Sequence, residues 1–102
     1  MILYHFIVAP VFIAEIEEAS CVMGNDVTMP AKVDGIPRPT LKLLKDGVEI
    51  TIDEHVQLKH EADKIELHLK KVTLESAGRY CIEARNDAGT ATTENSLKII
   101  GK

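Results

Sequence analysis

The chain has 102 residues, with 12 basic side chains against 16 acidic ones and a net charge of −4. That length suits one domain with a single core, and 45% apolar with 27% charged residues excludes a disordered segment. The acidic balance argues against nucleic-acid binding, and no apolar run reaches the ~18 residues that cross a bilayer as a helix.

The chain opens on MILYHFIVAPVFIA, with no Lys or Arg before Lys32 and with Pro10 interrupting the apolar run. A secretory signal would carry a basic start, so residues 1–8 read as a leading segment or linker and residues 9–100 as one domain. Beyond residue 13 the only aromatic is Tyr80, so the core has to be aliphatic. From Asp26 to Val33 apolar residues alternate, with Val27, Met29, Ala31 and Val33 on one face. Gly35, Pro37 and Pro39 rule out a helix next. Leu41 and Leu43 resume the alternation, and Lys45-Asp46-Gly47 reads as a tight hairpin. Val56 and Leu58, then Ile65, Leu67 and Leu69, give two more runs around Glu61-Ala62-Asp63. Tyr80, Ile82 and Ala84 alternate with Cys81, Glu83 and Arg85, and Asn86-Asp87-Ala88-Gly89 predicts a second hairpin before a last strand over 90–100. Seven to nine short strands at this spacing predict an all-β, two-sheet sandwich. Two cysteines, Cys21 and Cys81, allow either one disulfide or two free thiols.

Two motifs in one register carry a resemblance. The first runs from Val27 through Gly35-Ile36-Pro37-Arg38-Pro39 to Leu43 and Lys45-Asp46-Gly47. The second runs Leu67-x-Leu69-x-x-Val72, then Ser76-x-Gly78-x-Tyr80-x-Ile82-x-Ala84-x-Asn86-x-x-Gly89. Together they resemble the immunoglobulin superfamily, in particular its intermediate (I-set) type. The resemblance implies that Tyr80 forms a tyrosine corner, its ring in the core and its hydroxyl on upstream backbone.

The departures are informative too. Ala31 and Ile82 stand where the family has its two cysteines, and Leu43 where it has a tryptophan. Cys81 is one residue out of register, so with Ile82 inward it points to the outer face. The resemblance therefore implies an immunoglobulin-like sandwich with no inter-sheet disulfide. It places Cys21 inward on a strand two spacings from Cys81, about 9–10 Å and beyond disulfide reach. Ser76 and His55 replace together an acid–base pair common in the family. Pro30 falls mid-strand, where a missing N–H costs a ladder bond, so the strand opposite is expected to be short or bulged.

No nucleophile, acid–base or phosphate-loop constellation appears, so no enzyme activity or cofactor is expected. His55, His60 and His68 lack the ligand spacing of a metal site and read as solvated surface groups. Arg79, two residues before Cys81, is expected to favour the thiolate modestly. The resemblance implies a structural and protein-interaction module of an intracellular, sarcomeric filament-associated protein of the titin, twitchin and obscurin kind. Its partners would be neighbouring immunoglobulin or fibronectin-type domains and cytoskeletal proteins, with no nucleic acid or membrane. The exposed residues Lys42, Arg79, Cys81, Glu83 and Arg85 form a candidate docking face. The alternative is an extracellular adhesion or receptor domain. It fits poorly with the missing bridge and with Asn25, Asn86 and Asn95, none of which starts a glycosylation acceptor.

Overall fold

The structure, a computed structural model, describes residues 6–101. The nine strands among them are β1 (Val8–Ala14), β2 (Ala19–Val22), β3 (Val27–Ile36), β4 (Thr40–Lys45), β5 (Val48–Glu49), β6 (Val56–Glu61), β7 (Lys64–Leu69), β8 (Gly78–Asn86) and β9 (Gly89–Ile100). They form a four-stranded sheet in the order β1-β3-β7-β6 and a five-stranded sheet in the order β2-β9-β8-β4-β5. The period-two pattern is the cause: Met29, Ala31 and Val33 on β3, Ile65, Leu67 and Leu69 on β7, and Tyr80, Ile82 and Ala84 on β8 are all buried. Each sheet thus presents one apolar face to the other, the arrangement of a sandwich.

The family's cysteine and tryptophan positions carry the core without a bridge. Ala31, Leu43 and Ile82 are 4%, 2% and 0% exposed. Ile82 lies opposite Leu43 on β4 and Thr93 on β9. Both cysteines are free. Cys21 faces the core from β2, opposite Ile99. Cys81 is on the opposite face of β8, and β9 lies between the two strands.

Turn chemistry closes the hairpins. Asp46 and Gly47 join β4 to β5 with φ of 51° and 83°, the double positive φ that a two-residue turn needs to match strand twist. Between β6 and β7, Ala62 adopts a φ of 52° without being glycine. Gly78 has a different role. A side chain there would meet the Asp46 carboxylate at 2.7 Å, and that carboxylate accepts a bond from the Arg79 amide at 2.9 Å.

The first strand leaves its sheet early. β1 pairs with β3 from Val8↔Ile36 to Ala14↔Lys32 with two register shifts, while β3 pairs with β7 without a break from Val27 to Lys32. The Val33 amide donates to Asp63 on the β7 side at 2.9 Å. Backbone groups of alternate residues point to opposite neighbours, so the Pro30 nitrogen faces the β1 side, just past the end of β1. A groove of about 320 Å³ opens there over Ala31 and Ile65. The chain then crosses to the second sheet at Ile16. Its amide donates to the buried Thr93 hydroxyl at 3.1 Å, and its carbonyl accepts from the Asn95 amide at 3.3 Å. Among the described residues no helix is long and apolar enough to cross a membrane.

Candidate functional site

The outer face of the five-stranded sheet gathers the five candidate docking residues. β8 contributes Arg79, Cys81, Glu83 and Arg85, all on the side opposite Tyr80, Ile82 and Ala84. Lys42 on β4 lies directly opposite Glu83. The charges satisfy one another. The Lys42 ammonium is 3.8 Å from both Glu83 and Glu49, Arg79 is 3.1 Å from Glu94, and the Arg85 guanidinium donates to the Thr90 hydroxyl at 3.3 Å. Each such exposed pair contributes only about 0–1 kcal/mol. The face is therefore a row of charges paired mainly with one another, and these pairs add little to the stability of the fold.

Two expectations for this face need correction. Cys81 and Glu83 are half-buried where alternation placed them in the open. Cys81 sits mid-sheet, flanked by Leu44 on β4 and Glu94 on β9, so neighbours on both sides cover it. Nor does Arg79 activate the thiol. Burial first, then Glu94 and Glu83, push the Cys81 thiol up from its ordinary 9.0, and Arg79 opposes them only weakly. Its guanidinium is drawn to Glu94 instead. The thiolate is disfavoured at neutral pH.

The histidine reading is also corrected. His60 faces inward from β6 opposite Ile65, and His68 lies opposite Gln57 on β6. Both bury their Nε2 atoms without a hydrogen bond, although that of His68 stands 3.5 Å from the Glu66 carboxylate. His68 Nδ1 is 2.9 Å from the Thr28 hydroxyl. His55 is exposed, near Glu54. Among the described residues no group of three or more His, Cys, Asp or Glu is placed to hold a metal ion.

Among the signature residues, Tyr80, Asn86, Gly35 and Gly89 stand at turns and segment ends that they help to close. The Tyr80 hydroxyl donates to the Ser76 carbonyl at 2.7 Å, with the ring 2% exposed. Burial, then the nearby Asp46 carboxylate, raise the phenol's pKa above its ordinary value. Ser76 turns its own hydroxyl to the Thr73 amide at 2.9 Å. Asn86 ties three segments together. Its side-chain amide donates to the Val8 carbonyl at 2.7 Å and the Pro37 carbonyl at 3.0 Å, and its oxygen accepts from Ala88 at 2.8 Å. A side chain at Gly35 would meet Pro39 at 2.9 Å and Asn86 at 3.3 Å, so Gly35 lets these segments close. Gly89 pairs with Asn86 across the last hairpin. The sequence reading missed Thr93 and Asn95, which anchor the crossover at Ile16. Their signal was available as the polar side chains on the inward phase of β9.

Tyrosine corner, two-sheet order and a last strand running parallel to β2 form one pattern, and the I-set model of the immunoglobulin domain matches residues 10–99. The chain belongs to the immunoglobulin I-set family. This I-set domain is 34% identical over 92 residues to the Muscle M-line assembly protein unc-89 of Caenorhabditis elegans, which takes in 88% of this chain and 1% of that protein. It is 32% identical over 93 residues to the Coiled-coil domain-containing protein 141 of Rattus norvegicus, covering 91% of this chain and 6% of that one. The I-set domain thus spans only a small fraction of these curated relatives. Among solved structures, the titin domains z1z2 in complex with telethonin superpose with a TM-score of 0.89 at 29% identity. That superposition covers 95% of this chain and 49% of the titin chain.

Proposed function

We propose that this chain is a non-catalytic structural and protein–protein interaction module of an intracellular, sarcomeric, multidomain filament-associated protein. Residues 9–100 form its domain and residues 1–8 a leading segment or linker. Its partners are neighbouring immunoglobulin or fibronectin-type domains and cytoskeletal or sarcomeric proteins in the cytoplasm. The observation that carries the mechanical part is the parallel pairing of β2 with β9, Ala19↔Leu97 to Val22↔Ile100, extended by the Met23 amide on the Ile100 carbonyl at 2.8 Å. β2 lies near one end of the chain and β9 at the other, so tension between the ends loads these bonds side by side. All must fail together before the sandwich opens. Two free thiols in place of a bridge suit a reducing compartment. The M-line relative and the telethonin complex support the context and the docking role.

Force spectroscopy tests the mechanical role. By backbone alternation from Met23, the Cys21 amide faces β9. Cys21→Pro should therefore lower the unfolding force far more than Leu67→Ala, compared at matched equilibrium stability. Equal loss of force in the two variants overturns the role assigned to the ladder.

A further inference from the structure

A second feature lies at the β5–β6 edge of the sandwich, where Glu49 is the residue it shares with the charged sheet face. Between β5 and β6 the chain runs from Ile50 to His55 without regular structure. It borders a groove of about 550 Å³, lined by Lys45, Thr51, His55, Lys70 and Lys71 with Tyr80. The basic groups here are not equivalent. Lys45 donates to the Glu75 carbonyl and stands 6.0 Å from the centre of the Tyr80 ring. Among the described residues neither Lys70 nor Lys71 enters an ion pair. The groove also holds Glu49, Asp53 and Glu75. Asp53 is already engaged, its carboxylate accepting from the His55 and Val56 amides at 2.7 and 2.9 Å. Two adjacent, unpaired ammonium groups therefore share a concavity with an exposed threonine hydroxyl.

Thr51 also sits in a distinctive sequence. It is followed by Ile52, Asp53 and Glu54, the only Ser or Thr in the chain with acidic residues at both the second and third positions after it. A kinase with a basic substrate cleft reads that pattern by charge.

The geometry points to Thr51 as a phosphorylation site for an acid-directed protein kinase, with Lys70 and Lys71 receiving the phosphate. The γ-phosphoryl group passes from a nucleoside triphosphate to the Thr51 hydroxyl oxygen. The bond from phosphorus to the diphosphate breaks, the bond to threonine oxygen forms, and the hydroxyl proton goes to the kinase's base. The phosphothreonine carries nearly two negative charges at neutral pH and three acceptor oxygens. Charge-assisted bonds to the two ammonium groups fasten the 50–55 segment to the end of β7. Modification thus stiffens one rim of the domain.

The test treats the folded protein with ATP and an acid-directed kinase, then maps the product by mass spectrometry. It then compares thermal unfolding and the phosphorus NMR titration of the parent with those of Lys70→Gln/Lys71→Gln. The expected result is one phosphate on Thr51 and a Tm higher by about 4 °C. The phosphate should also titrate at lower pH than in the urea-unfolded chain. Both shifts should vanish in the double variant, whose exposed substitutions leave the core intact. No phosphate on Thr51, a Tm unchanged or lowered in the parent, or shifts that persist in Lys70→Gln/Lys71→Gln each overturn the assignment.

Discussion

Tyr80 shows how one side chain can serve two environments. Its ring fills the aliphatic core, and its hydroxyl satisfies a carbonyl in the 3-10 turn Leu74–Ser76. Tyr80→Phe keeps the ring and strands that acceptor, so chemical unfolding should show a loss of about 1–2 kcal/mol. His60 is the converse case, a polar ring turned inward with nothing to bond its Nε2. Burial first, and the Arg38 guanidinium second, hold its pKa below the ordinary 6.5. On acidification the unfolded chain takes up the proton before the folded one. The stability associated with neutral His60 is therefore complete above about pH 6.5 and is lost as pH falls through the lower, folded value. His60→Leu, matching Val56 and Leu58 in the same row, should flatten this part of the acid limb. Urea titrations at pH 7.5 and 5.5 would read the difference, and an equally steep fall in the variant would contradict it.

At the scale of elements, the hairpins separate what composition reveals from what it hides. Asp46-Gly47 was readable because a glycine in a short polar turn has few other reasons to be there. Ala62 was not, since alanine carries no sign of a left-handed backbone, yet it adopts a φ of 52° in an exposed turn. That conformation costs an L-residue roughly 1–2 kcal/mol, against about 0.5–1 kcal/mol of extra backbone entropy for glycine. Ala62→Gly should therefore raise stability by about 0.5 kcal/mol, visible as a higher urea midpoint with an unchanged slope. Strand alternation gave the inward set on β3, β7 and β8 because each is covered on one face only. The same rule misjudged Cys81 and Glu83, since it assigns a face and says nothing of how far longer neighbours lean across it. The reading of His60 and His68 as solvated failed for a related reason: only the packed structure shows how deeply each imidazole Nε2 is enclosed. The charged face itself was legible as a row of residues. Its internal pairing depended on the β4–β8–β9 register, which no local pattern encodes.

At the scale of the whole molecule, the two thiols report on the same closed sandwich from opposite sides. Cys21 is 7% exposed among core residues, and its thiol is directed at the Asp26 carbonyl 3.7 Å away. It should be alkylated only when the sandwich opens, so its rate should follow global stability across a denaturant series. Cys81 should react in the native state, slowly at neutral pH because its thiol is pushed up, and faster in Glu94→Gln, which removes a carboxylate opposing the thiolate. Mass-mapped alkylation over time separates the two. Equal native rates would mean that the five-stranded sheet does not divide them as described. In the chain-entropy picture the missing bridge between positions 31 and 82 forgoes about 4 kcal/mol. The core around Leu43, Ile65, Leu67 and Ile82 has to supply stability without it, so Ile82→Ala should cost about 2–5 kcal/mol.

The proline beside the open groove has a meaning that emerges only when copies are crowded. Two sandwiches joined by a short linker meet at millimolar effective concentration, where an uncovered strand edge is a template for pairing with the wrong molecule. β1 departs at Lys32 and leaves the edge of β3 uncovered beyond it, and in the middle of that stretch stands a nitrogen with no hydrogen to give. An invading strand would find the ladder interrupted where it most needs continuity. Pro30 costs this domain little, because β1 has already turned away, and it guards the stretch of β3 edge that β1 leaves uncovered.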